Sequence, residues 1–130
     1  MLEALGPEPT GKRVGVWGLT FKAGTDDLRQ SPSLEVIKRL ITAGVEVHGY
    51  DPAVKGPVPE VPELNVSADP YAAVKEAEVL VVLTEWDEFR WLDFDQVAAQ
   101  MQGRAVIDAR NILDSHALRR RGFSYRGTGR

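Results

Sequence analysis

The side chains best suited to bind phosphate lie in a loop between an apolar strand and the start of a helix. The strand ends near Gly18, and Ser31 caps a helix whose first position suits Pro32. Lys22 can pair with a phosphate as a compact charge, and Arg29 can do so through two parallel hydrogen bonds. Long ordered loops in compact domains are usually binding elements. In the opposing interpretation, two neighbouring aspartates neutralise these cations in a solvated loop, and the chemistry alone leaves both interpretations open.

A second candidate cation, Arg110, follows an apolar segment that predicts a strand over residues 104–108. If that strand lies beside the strand over residues 13–18, Arg110 meets the same ligand as the loop. Otherwise, Arg110 pairs with Asp108 or Asp114. These two interpretations are also equally open.

Residues 84–89, which follow a further apolar strand, contain two aromatic and three acidic side chains. We interpret them structurally. Thr84 is expected to cap a helix, the early acidic side chains favour its first turn, and Trp86 packs as an anchor. A catalytic or base-stacking corner is the alternative.

The elements that position these side chains alternate between strand and helix. Apolar runs predict strands over residues 13–18, 45–50, 78–84, 104–108 and 123–125, and 3.6-residue periodicity with caps predicts helices over residues 31–43, 69–77, 93–101 and 115–121. The proline-rich residues 52–68 predict an irregular loop. This alternation predicts an α/β, Rossmann-like, doubly wound and mainly parallel sheet of about five strands with helices on both faces. A strand order of 3-2-1-4-5 would place the strand over 104–108 beside that over 13–18, and ligands bind at the carboxyl ends of such strands.

Composition excludes several classes of function. The chain has 130 residues, a net charge of −3 and no cysteine. We therefore expect one domain over residues 11–130, with residues 1–10 as a linker or N-terminal remnant. Neither a nucleic acid nor a membrane is an expected partner. The missing cysteines exclude thiolate metal sites and fit a reducing cytoplasm, while His48 and His116 lack metal-ligand spacing.

The sequence does not predict a self-contained dinucleotide site. The G-x-G-x-x-G fingerprint needs a tight turn between strand and helix, but here about a dozen residues separate Gly18 from the helix. Asp51 ends the second strand, as a ribose-binding acid would. We favour its interpretation as a turn residue before Pro52.

Six motifs together resemble one family, the UDP-glucose/GDP-mannose dehydrogenases, and in particular its C-terminal UDP-binding domain. The matching segments occur in order from about residue 11 to residue 130. They are Gly-Leu-Thr-Phe-Lys at 18–22, Thr-Asp-Asp-Leu-Arg-Gln-Ser-Pro at 25–32, Tyr-Asp-Pro at 50–52, Thr-Glu-Trp at 84–86 with Phe89, Ile-Asp-Ala-Arg-Asn at 107–111, and Tyr-Arg-Gly-Thr-Gly-Arg at 125–130.

The resemblance implies a role for each candidate residue. Members oxidise the C6 alcohol of a nucleotide sugar to a carboxylate with two NAD, as in UDP-glucose 6-dehydrogenase. By motif, Phe21, Lys22 and Arg110 would contact the UDP-sugar. Arg29 would face the NAD that an N-terminal partner half binds, and the family commonly forms homodimers.

Two departures from the family pattern carry consequences. Ala109 stands where the family usually has glycine, which would be strained if the backbone there had positive φ. The catalytic cysteine, which forms a thiohemiacetal and then a thioester, is missing from this chain. We therefore expect no catalytic residue here and no activity from the chain alone. A stand-alone, non-catalytic nucleotide-binding or interaction module is the alternative.

Overall fold

The computed structural model describes residues 10–20 and 32–127. Within these residues, helices separate the strands along the chain as the sequence predicts, except between β2 and the short β3. The strands are β1 (Arg13–Trp17), β2 (Glu46–Tyr50), β3 (Asn65–Val66), β4 (Val79–Val82), β5 (Ala105–Asp108) and β6 (Ser124–Gly127). The helices are α1 (Pro32–Thr42), α2 (Pro70–Val74), α3 (Phe94–Gln100) and α4 (Ser115–Arg120), with a 3₁₀ helix over Asp87–Trp91.

The strands form one parallel sheet in the order β3-β2-β1-β4-β5-β6. This confirms the α/β, doubly wound fold class, with six strands where about five were predicted. The expected contact between β5 and β1 is wrong, because β4 lies between them and pairs with both. The strand that Arg110 follows is therefore separated by one strand from β1, which leads into the loop after Gly18, whereas the two strands were predicted to be neighbours.

The additional strand, β3, lies within the proline-rich segment that was predicted to be irregular. It has two residues, and it pairs with β2 at the edge of the sheet. The Asn65 side chain strengthens the contact by donating from Nδ2 to the carbonyl oxygen of Val47 (3.2 Å). Two residues are too few to show the period-two pattern of a strand, so the sequence carries no signal for β3.

The core has two layers, one on each face of the sheet. Helix α1 packs on one face and helices α2, α3 and α4 pack on the other. Strand β4 serves both layers, because Val79 and Val81 join the α1 layer while Leu80 and Val82 join the opposite one. All four side chains are buried, so this non-alternating strand is covered on both faces.

Local signals in the sequence fix the helix ends. Asp69 caps α2 by accepting from the backbone N–H of Ala72 (2.8 Å), and Asp93 caps α3 in the same way. Gly44 follows α1 with a φ of +89°, a conformation that glycine adopts without strain. None of the helices in the described ranges has both the length and the apolar character needed to cross a bilayer.

Candidate functional site

Buried polar side chains in the described ranges concentrate at one edge of the sheet. They are Thr20, Ser33, Asp51, Thr84 and Asp108. Four of them lie at a strand end or within three residues after it, and Ser33 lies in the first turn of α1, with its Oγ 3.4 Å from Thr84 Oγ1. This is the carboxyl edge, where parallel sheets of this kind bind their ligands.

Asp51 joins three strand ends through a single fully buried carboxylate. Its Oδ2 accepts from the backbone N–H groups of Leu19 (2.8 Å) and Thr20 (3.1 Å), and from the Thr20 hydroxyl (3.0 Å). The same oxygen accepts from the indole Nε1 of Trp86 (3.1 Å), while Oδ1 accepts from the backbone N–H of Ala53 (2.8 Å). We call Asp51 and these four partners the Asp51 corner.

The Asp51 corner does not fit the ribose of a dinucleotide. A ribose-binding acid at the end of the second strand must point its oxygens at the ligand, but both oxygens of Asp51 are engaged within the protein and the side chain has no exposed surface. Asp51 therefore does not serve as a ribose-binding acid at the end of β2. The structure also gives Asp51 a larger role than the predicted turn residue.

Thr84 does not cap a helix, which corrects the sequence interpretation. Its hydroxyl instead donates to the carbonyl oxygen of Thr20 (3.2 Å), tying the residues after β4 to those after β1. The 3₁₀ helix begins after Trp86, with no side-chain cap, although Asp87 and Glu88 do occupy its first turn as expected. Trp86 is partly buried and anchored through its indole nitrogen, as predicted.

Gly18 allows the strand ends of β1 and β4 to approach this closely. Its φ is +101°, and a Cβ atom placed on it would lie 2.5 Å from Thr84 Cβ. Side chains cannot occupy that space without a shift of the backbone. Glycine is therefore required here by both conformation and contact.

Asp108 organises a second arrangement, at the end of β5. Its Oδ1 accepts from the backbone N–H of Arg110 (3.1 Å), and its Oδ2 accepts from the backbone N–H of Leu113 (2.8 Å). The hydroxyl of Tyr125, on β6, also donates to Oδ2 (2.9 Å). We call Asp108, Arg110, Leu113 and Tyr125 the Asp108 corner.

Arg110 projects from the Asp108 corner as a cation without an acidic partner among the described residues. Its Nε donates to the carbonyl oxygen of Leu83 (3.2 Å), at the end of β4. Neither Asp108 nor Asp114 forms an ion pair with it, so that alternative is not what the structure shows. Within residues 10–20 and 32–127, no acceptor engages its Nη1 and Nη2. Both nitrogens can therefore meet an anionic ligand.

Ala109 fits its position without strain, although the family usually has glycine there. Among described residues other than glycine, positive φ occurs only at Glu76 and Asn111. Asn111 (φ 56°) makes the left-handed turn two residues later, and asparagine tolerates that conformation better than most residues. The departure from the family pattern therefore does not displace Arg110.

The predicted residues Phe21, Lys22 and Arg29 lie outside the described residues. Phe21 directly follows Thr20, the residue that Asp51 and Thr84 hold at the carboxyl edge. Arg110 is held at the same edge, since it contacts the carbonyl oxygen of Leu83, the neighbour of Thr84 in sequence. Their roles as ligand contacts stay predictions.

Tyr50 ends β2 beside the Asp51 corner as a fixed hydrogen-bond donor. Its hydroxyl donates to Glu88 Oε2 (3.2 Å). Burial, with the nearby Glu88 carboxylate, raises the pKa of Tyr50 to about 12. The hydroxyl therefore stays protonated at neutral pH and cannot act as a general base.

A charged cluster at the opposite, amino edge belongs to the scaffold. The Arg13 guanidinium pairs with Glu46, and His48 Nε2 lies 3.2 Å from the same carboxylate. The hydrogen bond from Arg13, with the nearby His48 ring, lowers the pKa of Glu46. No group of three or more potential metal ligands comes together in the described part of the chain.

Sequence reasoning missed Asp108 and Tyr125, and it underestimated Asp51. Each aspartate stands directly at or after the end of an apolar strand, where a short acidic side chain can accept backbone N–H groups of the following turn. That position is the signal that could have identified them. The hydroxyl of Tyr125 offers no such signal, because its partner lies on a different strand.

Comparisons with known proteins identify one family. The model of the UDP-glucose/GDP-mannose dehydrogenase family, UDP binding domain, matches residues 15–115. A UDP-glucose 6-dehydrogenase from Rhizobium meliloti is 40% identical over 131 residues, covering 100% of this chain and 30% of that protein. One from Caenorhabditis elegans is 40% identical over 127 residues, covering 88% of this chain and 26% of that protein.

Solved structures of related enzymes share the fold. A UDP-D-ManNAc dehydrogenase from Pyrococcus horikoshii superimposes with a TM-score of 0.81 at 29% identity, covering 99% of this chain and 29% of that one. The chain thus spans about 30% of the length of the relatives it matches. It belongs to the UDP-glucose/GDP-mannose dehydrogenase family, whose UDP-binding domain it matches over most of its length.

Proposed function

We propose that this chain binds the nucleotide part of a UDP-sugar, as one domain of an NAD-dependent dehydrogenase that oxidises UDP-glucose to UDP-glucuronate or catalyses a closely similar reaction. The observation that carries the proposal is Arg110. It stands at the ligand-binding edge of the sheet with Nε held by Leu83 and with Nη1 and Nη2 facing no acceptor among the described residues. A guanidinium presented in this way binds a diphosphate through paired hydrogen bonds.

The neighbouring loop completes the proposed substrate site. Phe21 would pack beside the nucleotide, and Lys22 would supply charge to a phosphate or sugar oxygen. Arg29 would face the NAD, which is bound mainly by an N-terminal half of the enzyme. This division agrees with the Asp51 corner, whose inward carboxylate does not fit the ribose of NAD.

The proposal assigns the chemical step to another part of the enzyme. The chain has no cysteine, so it does not supply the thiol that this oxidation needs. We expect the chain to be inactive alone, to work in the cytoplasm with the NAD-binding half, and to belong to an enzyme that dimerises. Supplying UDP-glucose and NAD to the pure chain should produce no sustained rise in NADH absorbance. A steady turnover would contradict this assignment.

Calorimetric titration of the chain with UDP tests the binding site directly. Arg110→Ala should weaken UDP binding by about 10- to 100-fold, since a hydrogen-bonded charge pair is lost. Arg39→Ala, which removes an exposed arginine in the last turn of α1, is the matched control and should leave the affinity unchanged. Lys22→Ala should also weaken binding.

Two outcomes would count against the proposal. Failure of the unmodified chain to bind UDP at millimolar concentration would reject the nucleotide site. Equal affinities for the Arg110→Ala and Arg39→Ala variants would reject the placement of the phosphates. Adding a purified NAD-binding domain that carries the catalytic cysteine separates a dehydrogenase domain from a stand-alone module, because only the former should then support NADH formation.

A further inference from the structure

We propose that Tyr125 is a positioning residue for nucleotide binding, acting through Asp108 on Arg110. The inference rests on the proposed function, because it assigns Tyr125 to the same site. Tyr125 itself is buried in the core layer that contains α4 and is not part of the ligand-facing edge. Its ring lies beneath the guanidinium of Arg119, with 5.7 Å from Arg119 Cζ to the ring centroid.

The path from Tyr125 to Arg110 consists of two hydrogen bonds that share one carboxyl group. Tyr125 pairs with Val106 in the sheet, two residues before Asp108, so its hydroxyl reaches along the sheet toward the carboxyl edge. There it donates to Asp108 Oδ2 (2.9 Å). The other oxygen, Oδ1, accepts from the backbone N–H of Arg110 (3.1 Å). Fixing one oxygen therefore fixes the plane of the carboxylate and the direction of the other.

The shared carboxylate also determines the course of the turn after β5. Besides Arg110, the backbone N–H of Leu113 donates to Oδ2 (2.8 Å), so Asp108 holds both ends of residues 110–113. Tyr125 supplies the contact from outside this turn. Without the Tyr125 hydroxyl, Oδ2 keeps only its bond from Leu113, within the turn itself. The carboxylate is then free to rotate, and its rotation would displace the backbone of Arg110.

Such a displacement matters because Arg110 is held at few points. Its side chain makes one hydrogen bond within the described residues, from Nε to the carbonyl oxygen of Leu83 (3.2 Å). That bond and the backbone bond to Asp108 together aim the planar guanidinium. Paired hydrogen bonds to a phosphate depend on that orientation. Loss of the Tyr125 hydroxyl should therefore reduce ligand affinity without touching the ligand.

The test is Tyr125→Phe, which removes only the hydroxyl and keeps the ring in the core. The chain should stay folded by circular dichroism and should bind UDP about three- to tenfold more weakly, the usual net value of one buried hydrogen bond. Tyr50→Phe is the matched control. It also removes a tyrosine hydroxyl that donates to a carboxylate, that of Glu88, and it should leave UDP affinity unchanged.

A double-mutant cycle distinguishes positioning from general destabilisation. In the Arg110→Ala background, Tyr125→Phe should cause no further loss of UDP affinity, because the group that it positions is gone. A second variant, Asp108→Asn, replaces one acceptor by a donor and should weaken UDP binding at least as much as Tyr125→Phe, again only when Arg110 is present.

The outcomes separate this inference from the function on which it rests. If the unmodified chain binds no UDP, the proposed function fails, and this inference fails with it. If the unmodified chain binds UDP and Tyr125→Phe binds equally well, only the inference is overturned. It is also overturned if Tyr125→Phe costs the same factor with and without Arg110, or if Tyr50→Phe costs as much.

Discussion

The Asp51 and Asp108 corners share the same local hydrogen bonding but have different roles. Each aspartate is fully buried at the carboxyl end of a parallel strand. In each, Oδ1 accepts the backbone N–H of the residue two positions later, which is Ala53 in one and Arg110 in the other. The same local turn chemistry therefore begins both corners.

The difference lies in what the second carboxylate oxygen binds. Oδ2 of Asp51 reaches other strand ends, binding Leu19, Thr20 and Trp86. Oδ2 of Asp108 holds its own turn and the hydroxyl of Tyr125. The Asp51 corner thus holds strand ends together within the protein, while the Asp108 corner supports Arg110, a cation that points outward. A buried acid at a strand end reveals its role only through its distant donors.

The largest effect on stability should follow from removing the carboxylate of the Asp51 corner. Asp51→Ala leaves three buried and two partly buried donor groups without their acceptor, and we expect the free energy of unfolding to fall by about 4 kcal/mol. Urea denaturation measures the loss. The control is Asp69→Ala, which removes the cap of α2 and should cost about 1 kcal/mol. If Asp51→Ala cost no more than the control, Asp51 would not hold the strand ends together.

Close packing next to the Asp51 corner should also make the protein sensitive to a single added methyl group at Gly18. Gly18→Ala must accommodate a Cβ at 2.5 Å from Thr84 Cβ, at a φ of +101°, and should lower the free energy of unfolding by about 3 kcal/mol. The reverse exchange next to the Asp108 corner, Ala109→Gly, should lower the free energy of unfolding by less than about 1 kcal/mol. Comparable losses at the two positions would remove the distinction between the corners.

At the Asp108 corner, a substitution should change ligand binding more than it changes stability. Arg110→Lys keeps the charge, but it loses the planar fork and the Nε bond to Leu83. We expect UDP affinity to fall about five- to tenfold, while the free energy of unfolding changes by less than about 0.5 kcal/mol. Calorimetry and urea denaturation on the same preparations give both values. A lysine variant with the affinity of the unmodified chain would mean that charge alone is recognised.

The sequence predicts the scaffold well because its signals are local. The apolar run at 79–82, the helix starts near residues 69 and 93, and the helix end before Gly44 each depend on signals within a few residues. Each is found close to its predicted position. Strand β3 was missed because two residues carry no period, and β5 was misplaced because the position of a strand in the sheet is a long-range property.

The candidate site was predictable only in part, for the same reason. The position of Arg110 at a strand end follows from the sequence. The donors of Asp51 do not, because Leu19 and Trp86 lie 32 and 35 residues away from it along the chain. The bond between Asp108 and Tyr125 spans 17 residues and two strands. Such pairs form only once the sheet has assembled.

The smallest effect concerns Asp114, an exposed aspartate that lies beyond the Asp108 turn. It caps α4, and the hydrogen bond from the backbone N–H of Ala117 (3.1 Å) holds the pKa of its carboxyl below the ordinary value of 3.8. Because the folded-state pKa is lowered, its contribution to stability is present above the unfolded-state pKa and is lost as the pH falls through the folded-state pKa, within about pH 5 to 2.

Asp114→Asn isolates this contribution, because asparagine also caps helices well but does not titrate over this range. Urea midpoints should show the unmodified chain slightly more stable at neutral pH, with the difference disappearing toward about pH 2. Asp114→Ala, which lacks the cap altogether, should stay less stable than both at every pH. A constant difference between the aspartate and asparagine chains would show that the charge of Asp114 does not stabilise α4. The exposed acid would then stabilise α4 through its hydrogen bond alone.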